Sequence, residues 1–215
     1  GYLCLRGGFR LGVCGTAVLR NGAVTGMRDI SSLALRIVTE RIGLADALAP
    51  QLYGAGRFQS TLILSPPGGG KTTLLRDLIR TLSLGSEERA ALRVAVLDER
   101  GELAVSARGE AQMSLGTHTD VLVGCPKAAG VGMVLRAMNP QVIAADEITA
   151  AEDVTAMAQA ANCGAALLAT MHAADLAELR RKPLWDALRA AGVFHRAVTI
   201  EGSGEERRYR VETLP

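Results

Sequence analysis

Short apolar runs that end in polar or acidic residues recur along most of the chain. They span residues 61–64, 93–97, 141–145 and 165–169. Between them lie segments with helical patterning, at 72–82, 128–138 and 151–161. Strands that alternate with helices predict an α/β fold, in which helices cover both faces of a mostly parallel sheet.

The first 50 residues follow a different pattern, with alternating segments separated by turn residues. Gly7-Gly8 and Asn21-Gly22 are hairpin signals, and Asn-Gly suits both positions of a type I′ turn. We expect a small antiparallel β-meander, followed by an amphipathic helix over residues 31–48. Residues 51–59 are predicted to link this part to a core at 60–215. The chain begins inside a strand pattern and without Met, so we expect residues 1–50 to be the remnant of a longer N-terminal domain.

The turn after the first apolar run has the composition of a phosphate-binding P-loop, the Walker A pattern. Segment 65–73, SPPGGGKTT, joins a buried strand to a helix, and Ser65 replaces the glycine with which the pattern begins. Glycines let backbone N–H groups curl around phosphate oxygens, and the N-terminus of a helix attracts the same anion. Lys71 is assigned to the β- and γ-phosphates and the Thr72 hydroxyl to Mg²⁺. The predicted nucleotide-binding residues are Pro67, Gly68, Gly69, Gly70, Lys71, Thr72 and Thr73.

A second acidic signal follows the run at 141–145, which ends in Asp146-Glu147. In P-loop ATPases a strand beside the P-loop strand ends in an aspartate that holds Mg²⁺ through water. A glutamate next to it can orient and deprotonate the attacking water. We therefore assign Asp146 to the metal, together with Thr72, and Glu147 to catalysis.

Two other strand tips carry polar residues. Because strand ends at one edge of a parallel sheet converge on the ligand, Asp98 or Glu99 is expected to face the γ-phosphate or the Mg²⁺ shell. Thr170 and His172 are expected to sense the γ-phosphate. A charged loop and a structural histidine are the alternative interpretations. The catalytic candidates are Glu147, Lys71, Glu99, Thr170 and His172.

Several of these blocks carry a family resemblance. The region from Val131 to His172 is similar to the motor ATPases of type II and type IV secretion and of type IV pili. The matching positions are Leu135, Arg136, Asn139, Pro140, Glu147, Thr170 and His172. The chain departs from those motors at Asp146, where they usually carry glycine, and at Thr149, where they carry arginine. Within that superfamily, the blocks SPPGGGKTTLLRDLIR, VAVLDERGEL, GCPKA, LRAMNPQVIAADEIT and AANCG resemble the stage III sporulation protein AA family.

The resemblance implies a RecA-like ATPase that uses ATP and Mg²⁺ and works as a homo-oligomeric ring, a hexamer. It implies a sporulation channel or secretion apparatus, with membrane proteins of that apparatus as partners. The expected location is cytoplasmic, at the face of a membrane on the mother-cell side. Such rings commonly complete a site with an arginine from the neighbouring subunit. The candidates are Arg6, Arg10, Arg20, Arg100 and Arg136.

Composition bears on the partners. Lys and Arg total 24 against 22 Asp and Glu, and aromatic residues make up 3% of the chain. With neither a basic bias nor a stacking surface, no nucleic-acid partner is expected. No apolar run approaches the length of a membrane span, so any membrane contact is expected to be peripheral. The four cysteines are dispersed, which fits a reducing compartment.

Two other functions stay open. One is a RecA-like ATPase that translocates nucleic acid. The other is an ATP-binding assembly scaffold with little turnover, against which the intact Asp146 and Glu147 argue. A P-loop kinase is less favoured, because Glu147 has no evident task in one. At the C-terminal end, Arg207, Arg208 and Arg210 are interleaved with Tyr209 and predict the solvated face of an edge strand.

Overall fold

The computed structural model describes residues 2–5, 9–36, 40–106, 109–202 and 204–214. The chain forms two compact units. The first consists of Gly1–Glu40 with Val105–Met113, and the second of Arg41–Ala104 with Ser114–Pro215. The division into an N-terminal domain remnant at 1–50, a linker at 51–59 and a RecA-like ATPase domain at 60–215 stays a prediction.

The first unit contains a three-stranded antiparallel sheet in the order β1-β2-β3. Its strands are β1 (Tyr2–Cys4), β2 (Arg10–Arg20) and β3 (Ala23–Arg36). Asn21 and Gly22 join β2 to β3 with φ angles of 52° and 76°, the left-handed pair that a type I′ turn requires. The predicted meander is therefore confirmed. The predicted turn at Gly7-Gly8 lies outside the described residues.

The helix predicted over residues 31–48 is wrong for residues 31–36 and 40–48, and residues 37–39 lie outside the described ranges. Strand β3 continues to Arg36, and Ser32 and Ala34 face Cys14 and Gly12 of β2. Pairing with a neighbouring strand outweighs helical spacing when the helical pattern is short. In the second unit, residues 44–48 form turns rather than a helix.

The segment predicted as a linker packs into the second unit. A 3₁₀ helix at Ala49–Leu52 leads into a hairpin of β4 (Tyr53–Gly54) and β5 (Arg57–Phe58). Leu52 and Phe58 are buried in the same cluster as the P-loop helix. Their burial anchors this stretch to the core.

The second unit is built around a seven-stranded sheet. Its strands are β6 (Thr61–Ser65), β7 (Val94–Asp98), β8 (Thr119–Val123), β9 (Val142–Ala145), β10 (Ala166–His172), β11 (Arg196–Glu201) and β12 (Arg208–Thr213). Their order is β12-β11-β6-β10-β9-β7-β8. All neighbours pair in parallel except β11 and the edge strand β12. The carboxyl ends of β6, β10, β9 and β7 therefore share one edge.

Helices cover both faces of this sheet. They are α1 (Lys71–Leu84), α2 (Lys127–Met138), α3 (Ala151–Asn162), α4 (Leu176–Leu179) and α5 (Trp185–Ala191). Apolar residues of α1 share one buried cluster with Ile63 and Val96, whereas residues of α2, α3 and α5 share another with Leu62 and Leu97. Alternate strand residues thus point to opposite cores, and the predicted α/β fold is confirmed. None of the helices in the described ranges is long and apolar enough to cross a membrane.

Candidate nucleotide-binding site

The loop after β6 is shaped by its glycines. Gly68 and Gly70 have φ angles of 75° and 96°, which residues with a Cβ rarely adopt. A Cβ on Gly69 would collide with the Ser65 side chain. Ser65, at the position of the usual first glycine, is buried and donates from Oγ to the Pro66 carbonyl over 2.9 Å. A small hydroxyl side chain therefore fits beneath the loop.

Lys71 begins α1 and turns its ammonium into the loop. It donates to the Ser65 and Pro66 carbonyls over 2.9 and 3.0 Å, and its Nζ lies 2.7 Å from His172 Nδ1. Burial lowers the pKa of Lys71, and the carboxylates of Asp146 and Glu147 oppose that shift. The lysine side chain thus lies inside the loop, at the place where a P-loop binds phosphate.

Asp146, directly after β9, is joined to the P-loop helix. Its Oδ2 accepts a hydrogen bond from Thr72 Oγ1 over 3.0 Å, and its Oδ1 accepts one from Thr170 Oγ1 over 2.6 Å. The structure therefore brings together the two residues predicted to bind the metal.

This pair of oxygens fits Mg²⁺. Thr72 Oγ1 and Asp146 Oδ2 lie 3.0 Å apart, so a Mg²⁺ ion held by the threonine hydroxyl would have the carboxylate within reach of its water ligands. Within the described ranges no group of three or more His, Cys, Asp or Glu side chains could hold a metal. The remaining ligands would be phosphate and water oxygens, which Mg²⁺ favours.

Glu147 has a positive φ of 47°, unusual for a residue other than glycine, asparagine or aspartate. Thr170 fixes this conformation, since its Oγ1 accepts from the Glu147 N–H and its carbonyl from the Ile148 N–H, both over 2.9 Å. The Glu147 carboxylate has one oxygen 3.0 Å from His172 Nε2 and the other 2.9 Å from Arg100 Nη1. Both oxygens therefore have a nitrogen neighbour.

His172 connects the two halves of the site. Its Nδ1 contacts Lys71 and its Nε2 contacts Glu147. The sheet order explains this, because β10 lies between the P-loop strand β6 and the acidic strand β9. The structure thus brings together every predicted catalytic residue except Glu99.

The end of β7 departs from the expectation. Asp98 is buried and accepts hydrogen bonds from the backbone N–H groups of Glu102, Leu103 and Ala104. The prediction that it faces the γ-phosphate is wrong, because its oxygens are committed to its own loop. Glu99 accepts a hydrogen bond from Lys127 over 2.6 Å, and this bond lowers the pKa of Glu99. A catalytic role for Glu99 stays a prediction.

Sequence reasoning missed the contacts of two arginines. Arg100 was a candidate for action across subunits, whereas here it pairs with Glu147 of its own chain. Arg207 was expected on a solvated face, but its guanidinium lies against Gly70 of the P-loop. No local pattern signals either contact. The order and register of the strands would have been needed to foresee them.

Comparisons with known proteins agree with this architecture. The sequence model of the family described as "Sporulation stage III, protein AA" matches residues 1–211. Stage III sporulation protein AA of Bacillus subtilis is 40% identical over 190 residues, which cover 86% of this chain and 62% of that protein. The chain therefore spans less than two thirds of the length of this relative.

Solved structures share the fold at low sequence identity. The ATPase DotB of Legionella pneumophila matches with a TM-score of 0.62 and 20% identity, over 96% of this chain and 57% of its own. The pilus retraction motor PilT with bound ADP matches with a TM-score of 0.64 and 18% identity, over 100% of this chain and 62% of its own. The core fold is that of the RecA-like secretion and pilus ATPases. By its sequence, the chain belongs to the stage III sporulation protein AA family.

Proposed function

We propose that this chain hydrolyses ATP to ADP and phosphate with Mg²⁺, and that the hydrolysis drives a conformational cycle in a ring. The observation that carries the proposal is the continuous set of contacts at one sheet edge. It joins the P-loop lysine to the paired acids through side chains of the strand between them. The residues in this set are Lys71, Thr72, Asp146, Glu147, Thr170 and His172.

The P-loop side of the site would bind the nucleotide. The backbone N–H groups of the glycine loop surround the phosphates, and Lys71 exchanges its loop carbonyls for β- and γ-phosphate oxygens. Thr72, and Asp146 through water, would hold Mg²⁺, which when bound would neutralise charge on those phosphates. The 2.6 Å bond from Thr170 keeps the Asp146 carboxylate oriented.

The β9 side of the site would activate water. The Glu147 carboxylate orients a water molecule and accepts its proton as general base. Its left-handed backbone, fixed by Thr170, places the carboxylate between Arg100 and His172. Because His172 also contacts Lys71, movement of the lysine onto a phosphate frees one side of the imidazole. His172 would thereby relay nucleotide state to Glu147.

The assembly forms the wider part of the proposal. The family of this chain and the motor ATPases with which it shares its fold support a homo-oligomeric ring, with a hexamer as the expected size. Its partners would be membrane proteins of a sporulation channel or secretion apparatus, met from the cytoplasmic face of the membrane. No nucleic-acid partner is proposed.

Hydrolysis by the wild-type chain and by a Glu147→Gln variant tests the proposal. We expect ATP turnover in the wild type, loss of turnover with nucleotide binding retained in the variant, and a mass increase in light scattering when ATP is added. ATP binding without turnover in every assembled state would replace the motor with a scaffold. Salt-sensitive, ATP-coupled retention of nucleic acid on filters would replace it with a translocase.

A further inference from the structure

The hairpin of β11 and β12 lies at the same sheet edge as the P-loop. Strand β11 runs parallel to β6, with Thr199 opposite Leu64. Strand β12 returns antiparallel, with Arg208 opposite Glu201. Because β6 and β11 run side by side in the same direction, the connection from β11 to β12 lies beside the loop that follows β6. Arg207 occupies the end of that connection.

The Arg207 guanidinium packs against the P-loop backbone. A Cβ built on Gly70 would lie 2.9 Å from Nη1 and 3.0 Å from Cζ of Arg207. Gly70 is the N-cap residue, directly before α1. The guanidinium therefore occupies the space that a side chain at this P-loop position would need.

Arg207 is incompletely satisfied in this position. Its Nε is buried and has no hydrogen-bond partner among the residues that the structure describes. The neighbouring arginines differ, since Arg208 is exposed and Arg210 is paired with Glu201 over 2.9 Å. A buried guanidinium N–H without a partner is costly, and an anion that accepts from Nε would remove that cost.

We propose that Arg207 is a nucleotide-binding residue whose guanidinium donates hydrogen bonds to a phosphate of the nucleotide held by the P-loop. The inference rests on the proposed function and adds a phosphate contact from the C-terminal hairpin of the same chain. A guanidinium presents paired N–H groups that match phosphate oxygens, which the point charge of Lys71 does not. Arg207 is thus separate from any arginine that a neighbouring subunit supplies.

Titration with a fluorescent ADP tests this role. We expect Arg207→Ala to weaken ADP binding about tenfold or more. Arg208→Ala is the matched control. It removes the same charge one residue further along, from an exposed position, and should leave ADP affinity unchanged. Arg207→Lys should recover part of the affinity. Melting temperatures without nucleotide identify variants that are only destabilised, and Arg207→Gln replaces the alanine variant if that one does not fold.

Competition by inorganic pyrophosphate separates a phosphate contact from a contact to the base. We expect Arg207→Ala to weaken displacement of the fluorescent ADP by pyrophosphate as much as it weakens ADP binding. Unchanged pyrophosphate affinity would overturn the inference, since the arginine would then serve the base or the fold. If the wild type hydrolyses ATP and Arg207→Ala binds ADP as tightly as the wild type does, the inference about Arg207 is overturned and the proposed function stands. Absence of nucleotide binding by the wild type would overturn the proposed function and the inference together.

Discussion

Strands β7 and β9 are neighbours, and an Asp-Glu pair stands at the carboxyl end of each, directly after the paired residues Leu97 and Ala145. Although the same dipeptide stands at the same edge of the sheet, the two aspartates have different hydrogen-bond partners. Asp98 binds backbone N–H groups of the loop that follows it, whereas Asp146 binds the hydroxyls of Thr72 and Thr170.

The difference lies in what the neighbouring elements supply. Beside Asp146, the end of strand β10 carries Thr170 and His172, and Thr72 is the second residue of α1. Strand β7 lies between β9 and β8. After β8, the Gly124 N–H donates a hydrogen bond to the Asp98 carbonyl. Side chains of neighbouring elements therefore decide the contacts of Asp146, whereas backbone groups of its own loop decide those of Asp98.

The strongest test of the comparison is turnover in Glu147→Gln against Glu99→Gln. We expect the first to lower kcat about a hundredfold or more, because it removes the general base. The second should change kcat by about twofold at most, because Glu99 binds Lys127. Steady-state phosphate release measures both. Equal losses would confirm the predicted catalytic role of Glu99.

For stability we expect the opposite order, with a larger loss from Asp98→Asn at the end of β7 than from Asp146→Asn after β9. We expect Asp98→Asn to lower the free energy of unfolding by about 2–3 kcal/mol, since its new NH₂ group would face backbone donors in a buried site. Asp146→Asn should lower it by less than about 1 kcal/mol, because Asp146 is only partly buried. Urea denaturation of the two variants decides. A larger loss for Asp146→Asn would contradict the structural role of Asp98.

Substitution of Thr170 tests the contribution of β10 side chains to the acidic pair after β9, a contribution that the pair at the end of β7 lacks among the described residues. Thr170→Val keeps the buried shape but removes the hydroxyl that joins Asp146 to the Glu147 N–H. We expect kcat to fall about tenfold and the free energy of unfolding to fall by about 1–2 kcal/mol. Thr170→Ser retains the hydroxyl and should stay near wild type. If the valine variant matched the serine variant in both measurements, the hydroxyl would have no such role.

The smallest expected effect is on the pKa of Glu99, the residue after β7, and on stability at acid pH. The Lys127 hydrogen bond holds the pKa of Glu99 below its ordinary 4.5. This pairing therefore adds stability above about pH 4.5, which is lost as the pH falls through the lowered value. We expect Lys127→Met to return the pKa of Glu99 towards 4.5 in an NMR titration of its carboxyl group. Arg100→Gln is the control and should move it less. If the pKa of Glu99 is unchanged in Lys127→Met, the hydrogen bond from Lys127 is not the cause of its lowering.

Local pattern was enough to predict the parts of the site that lie within one segment. The P-loop composition, the Asp-Glu strand end and the alternation of strands and helices led to Lys71, Thr72, Asp146 and Glu147. Local pattern gave the wrong result over residues 31–36, where it predicted a helix and pairing with β2 produces a strand.

Contacts that depend on the spatial order of strands were beyond local pattern. The contact of Arg207 with Gly70 requires β11 beside β6, and that of Arg100 with Glu147 requires β7 beside β9. Neither adjacency follows from chain order. Similarly, the role of Asp98 depends on the path of its own loop, which the composition does not specify.

The positive φ of Glu147 implies a stability–activity trade-off at this position. A glutamate in the left-handed region costs about 1 kcal/mol that glycine would not. Glu147→Gly should therefore melt at a higher temperature than Glu147→Ala, although both lack the carboxylate. Selection for thermal stability alone would replace this glutamate with glycine, whereas catalysis, on the proposed mechanism, requires the carboxylate to remain.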